Sequence, residues 1–74
     1  MLKRFIMENL PTNQSPRDLN ILASNIQFDL RSSGRLVDLF DIFSAFKELH
    51  NTQDLFMFSN GTVVATRKGL KSYD

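Results

Sequence analysis

The chain has 74 residues, a formal net charge of +1, 42% hydrophobic and 23% charged residues, and no cysteine. A chain of that length holds one domain at most, and such a domain buries only about 60% of the surface its unfolded form exposes. Lacking cysteine, it has no disulfide, thiolate metal site or cysteine nucleophile, and it suits a reducing compartment.

Leu2, Phe5, Ile6 and Leu10 fit one helical face, while Lys3 to Met7 would also serve as an edge strand. A short helix is the expectation for this N-terminal segment (1–14). Pro11 ends it, because a residue preceding proline is pushed out of the α region. Ser15-Pro16-Arg17-Asp18 then reads as a helix start, with Ser15 as N-cap, Pro16 in the first turn and Asp18 facing the positive end of the dipole. The expected helix runs over about 16–31, with Leu19, Leu22, Ala23, Ile26 and Leu30 in a narrow stripe. Ile21 and Phe28 lie seven apart on another side and point to a second contact. Gly34, after Ser32-Ser33, ends this helix by taking positive φ at no steric cost.

The next expected helix, about 35–50, carries the sequence RLVDLFDIFSAFKEL. At about 100° per residue, Leu36, Leu39, Phe40, Ile42, Phe43, Phe46 and Leu49 cover roughly half its circumference. Ala45 falls with Asp38, Asp41, Ser44 and Glu48 on the other half. A surface helix needs a stripe only about 100° wide. Either the helix is sandwiched between layers of its own domain, or part of the stripe meets another molecule. Two helices joined this closely pack as an αα-hairpin or cross as a helix-turn-helix.

Leu55 to Thr66 reads as a β-hairpin, with Asn60-Gly61 favouring a type I′ turn. Neither face alternates cleanly with polar residues, so both sides are expected to be covered. The tail, 67–74, is polar and prone to fray, with Leu70 and Tyr73 as anchors. Two glycosylation sequons, at Asn13 and Asn60, are explained by the Ser15 cap and the hairpin turn.

A search for chemistry finds little. His50 is the single histidine and falls near a helix C-terminus, where the dipole favours a cation. Asp38 and Asp41 share a helical face but have no further ligand at matching spacing. No phosphate-binding glycine loop occurs. Neither a secretory apolar region nor a membrane span is long enough to qualify. The expectation is a cytoplasmic, non-enzymatic protein with no cofactor, no metal, no small-molecule substrate and no membrane association.

The fold class expected is α+β: a helix pair, with a short N-terminal helix, packed on a C-terminal two-stranded antiparallel hairpin in one domain, 1–74. The surplus apolar helix points to a protein-interaction module (an adaptor, inhibitor or regulatory protein) acting by self-association or by docking on a larger protein. Its expected anchors are Phe40, Phe43, Phe46 and Leu36, with Ile21 and Phe28, because buried aromatics dominate interface energetics.

The order of elements over 16–68, with helices, a glycine-containing turn and a hairpin whose last strand ends in cations, also resembles winged-helix DNA-binding domains. That resemblance implies a recognition helix at 35–49, a wing tip at Asn60-Gly61, and phosphate contacts from Arg67 and Lys68. Lys71, Lys3 and Arg4 are further cations for such a face if the chain ends meet. The chain departs from the pattern at Leu36, Val37, Leu39 and Phe40, which stand where base-reading residues would be, and at Asp38 and Asp41, which repel phosphate.

Overall fold

The computed structural model describes residues 2–73. Met1 and Asp74, the outer limits of the expected N-terminal segment and tail, lie outside the described residues. The elements are α1 (Leu2–Glu8), β1 (Arg17–Asp18), α2 (Leu19–Ser32), α3 (Leu39–Asn51), β2 (Leu55–Met57), β3 (Thr62–Ala65) and α4 (Arg67–Ser72). The architecture is α+β, with helices packed on a three-stranded antiparallel sheet of order β1-β3-β2. The hairpin thus gains a strand from the segment before α2. Among the described residues no helix is long and apolar enough to cross a membrane.

The N-terminal segment is helical, as its apolar spacing suggests, and buries Ile6 and Met7. The start of α2 differs from expectation. Arg17 and Asp18 are extended and pair with Val63 and Thr62, and the Leu19 amide donates to the Gly61 carbonyl at 2.8 Å. With 17–18 held by β3, the helix begins later and Asp18 is its N-cap, accepting from the Ile21 amide at 2.9 Å. Ser15 caps nothing; its own amide donates to Asn13 Oδ1. A long-range strand pairing has overridden a strong local signal.

The helix ends agree better. Gly34 has φ +85°, its amide donates to the Arg31 carbonyl, and the Arg35 amide donates to the Leu30 carbonyl; together these form a Schellman motif. The same closure recurs after α3, with bonds from Gln53 to His50 and from Asp54 to Leu49. There the left-handed position is filled by Gln53, at φ +64°.

α3 starts four residues later than expected, at Leu39. Gln27 Nε2 donates to the Val37 carbonyl at 3.0 Å, which holds the 35–38 segment along α2 in a non-helical course. The buried stripe of α3 is Ile42, Ala45, Phe46 and Leu49. These span about 100° of the wheel, the width an ordinary surface helix uses. Ala45, expected on the polar half, belongs to the core.

The hairpin register is Leu55↔Ala65, Phe56↔Val64 and Met57↔Val63. Its turn is not type I′, which needs positive φ at both Asn60 and Gly61; only Gly61 has it, at +87°. The Gly61 amide donates to the Phe58 carbonyl, and the Phe58 amide to the Thr62 carbonyl. This is the longer hairpin loop, a turn followed by a left-handed glycine. Asn60 Oδ1 accepts from both the amide and the hydroxyl of Thr62.

The tail is a helix rather than a frayed end. Thr66 caps it, its Oγ1 accepting from the Gly69 amide at 3.0 Å. Leu70 and Tyr73 pack against the core, and Gly69 is buried. The core itself joins every layer: Ile6 from α1, Ile26 and Leu30 from α2, Phe46 and Leu49 from α3, Leu55 and Val63 from the sheet, all at most 2% exposed.

Candidate protein-interaction surface

The residues singled out from the sequence separate into two groups. Phe46 is fully buried and Phe43 is half-buried against the core. Phe46 therefore belongs to the interior and not to the offered face. Leu36, Phe40, Phe28 and Ile21 are 85%, 77%, 68% and 63% exposed. Leu36 lies in the extended segment before α3, not on the helix.

Each exposed side chain has a local reason for facing out. On α2 the core stripe of Ala23, Ile26 and Leu30 leaves Ile21 and Phe28 almost diametrically opposite, about 170° away. Both line an open groove of about 510 Å³ with Leu22, Asn25, Arg17, Asp18, Asp29 and Asn9. Phe40 points away from the α3 stripe because it comes two residues before Ile42. The Gln27–Val37 bond joins the two regions: Phe28 and Leu36 each stand one residue from a directly bonded partner.

A second apolar feature was only half legible in the sequence. Phe56 and Phe58, 46% and 42% exposed, form an edge-to-face pair with centroids 4.8 Å apart. His50 lies against Phe56 at 5.1 Å, and its Nδ1 accepts from the Met57 amide at 3.2 Å. The lack of polar alternation in the hairpin signalled the aromatics; the reach of His50 depends on how α3 ends.

The two ends of the chain meet at Arg4 and Tyr73. Arg4 Nη1 donates to the Tyr73 carbonyl at 3.5 Å, and the guanidinium sits 6.0 Å from the Tyr73 ring centroid. Lys3, however, is engaged with Glu48 at 3.0 Å, and that hydrogen bond and charge attraction raise its pKa above the ordinary 10.5. Lys68 donates to the Thr52 carbonyl and lies 4.0 Å from Asp54. Arg67 and Lys71 are exposed on α4. Among the described residues, no three His, Asp or Glu side chains gather as a metal site. No family model, curated protein or solved structure matches the chain significantly.

Proposed function

We propose that the chain is a small, non-enzymatic protein-interaction module that docks through the helical layer, with Phe40, Leu36, Ile21 and Phe28 as anchors. The observation that carries this reading is the division of the apolar surplus. The core closes with an ordinary stripe on α3, yet these four large side chains stay more than 60% exposed. Singly exposed apolar residues are unremarkable; large ones sharing one groove, as Ile21 and Phe28 do, mark contact surfaces. Phe43, half-buried one turn after Phe40 on α3, would form the floor of the contact there. With no cysteine, the module suits the cytoplasm.

The test is Phe40→Ser. The variant should keep the circular dichroism of the wild type while losing the complex, either a homodimer in sedimentation or a target captured from native lysate. A wild-type chain that sediments as a monomer and captures nothing sinks the reading.

A second reading, a DNA-binding regulator, draws support from the strand order β1-β3-β2 and from the meeting of the two chain ends at Arg4 and Tyr73. It is the weaker one. Lys3 and Lys68 are occupied by acidic partners, and the exposed start of α3 offers Phe40 and Asp41. Phosphate binding would appear as a steep fall in affinity with salt; duplex DNA that does not bind at low salt removes it.

A further inference from the structure

The strand order leaves β2 at an edge of the sheet. Edge strands present unpaired N–H and C=O groups that template pairing with another chain. The Phe58 amide bonds the Thr62 carbonyl and the Thr66 amide bonds the Asp54 carbonyl. Alternation along an antiparallel ladder then turns the polar groups of Leu55 and Met57 away from β3. The outward N–H of Met57 is met by His50 Nδ1 at 3.2 Å.

That bond needs the Nδ1 lone pair and places the ring proton on Nε2. An imidazolium has N–H on both nitrogens and no acceptor, so protonation sets donor against donor. We propose that His50 is a pH-operated guard on the outer edge of β2, and that its release lets a second copy of the chain add its own β2 there. A second copy fits because the edge is self-complementary. With two antiparallel β2 strands centred on Phe56, Leu55 of one copy stands opposite Met57 of the other, and each outward N–H meets an outward carbonyl in an isologous contact. The freed ring keeps an aromatic neighbour in Phe56, over which a cation is stable. Of the charged groups around it, Lys68 lines the same cleft from α4 and is engaged by Asp54 and the Thr52 carbonyl. Lys47 stands one turn earlier on α3, and β2 and β3 carry no charge.

Sedimentation at pH 8 and pH 5, either side of the range in which imidazoles ordinarily titrate, tests the proposal. The wild-type mass should double at pH 5 and revert at pH 8, with the fold retained by circular dichroism. His50→Gln, whose amide oxygen accepts at either pH, should keep one mass throughout. An unchanged wild-type mass, unfolding at pH 5, or equal doubling in His50→Gln overturns it.

Discussion

Gly69 and the carbonyl of Asp54 are packed so closely that a Cβ on Gly69 would sit 1.8 Å from the Asp54 oxygen. The contact locks α4 onto the turn that follows α3. The same turn is tied by Thr66 Oγ1 donating to the Gln53 carbonyl at 2.5 Å and by the Thr66 amide donating to the Asp54 carbonyl. The obstacle is backbone, which cannot swing aside as a side chain would. Gly69→Ala should destabilise the fold by about 1–3 kcal/mol or more, read as a fall in urea midpoint. Retained wild-type stability would mean that α4 is not docked in this way.

The capping geometry predicts opposite outcomes at two neighbouring polar residues. Asp18→Ala removes the acceptor for the Ile21 amide and should cost about 1 kcal/mol. Ser15→Ala should change stability by only a few tenths of a kcal/mol, as surface substitutions away from such features do. A reversed ranking would restore the earlier helix start that the local sequence suggests.

Gln53 is the residue whose replacement should help. It holds a left-handed backbone at φ +64°, a conformation costing a side-chain-bearing residue about 1–2 kcal/mol. Glycine takes it freely but loses more backbone entropy on folding, so Gln53→Gly should stabilise the fold by about 0.5–1 kcal/mol. Thermal melts of the pair would show it.

The phenylalanines of α3 should divide by position. Phe46→Ala opens a cavity at a fully buried site and should cost about 3–5 kcal/mol, a large share of the stability of so small a domain. Phe40→Ala should cost little in chemical denaturation, because Phe40 is 77% exposed, and should weaken docking instead. Equal destabilisation by both would place Phe40 inside.

The Lys3–Glu48 pair has a pH signature. Its effect on Lys3 is to raise the folded-state pKa above 10.5. The stabilisation is therefore full below the unfolded value of about 10.5 and is lost as pH rises through the higher folded value. Both side chains are substantially exposed, so the effect is small and screened by salt. The melting temperatures of wild type and Lys3→Met should differ slightly at pH 9 and low salt, and converge at pH 12. A gap that widens with pH would contradict the pairing.

The fold was most legible where short-range chemistry decides it. Gly34 and the positive φ of Gly61 follow from local sterics, and the stripe of α2 follows from periodicity. Each departure has a partner far along the chain. Arg17 and Asp18 are extended because β3 takes their backbone groups, and Leu36 is off the helix because Gln27 holds Val37. α4 is docked because Gly69 lets it pack directly on the Asp54 carbonyl. The candidate surface was legible in part for the same reason. Ile21 and Phe28 stood out as off-stripe, whereas Phe43 and Phe46 could not be told apart from Phe40 until the start of α3 and the burial of Ala45 rotated the stripe.

β1 is a clasp of just two residues, yet it fastens the helical half of the chain to the far strand of the hairpin. Closing it joins residues separated along the chain by α2, α3 and β2, so its closure costs more chain entropy than the local hairpin does. Two exposed residues make it a seam expected to part at lower free energy than the core. In such an opened form α2 and α3 would keep their pairing while the sheet is reduced to the bare hairpin. The amide of Leu19, bonded across the clasp to Gly61, therefore reports this partial opening separately from global unfolding.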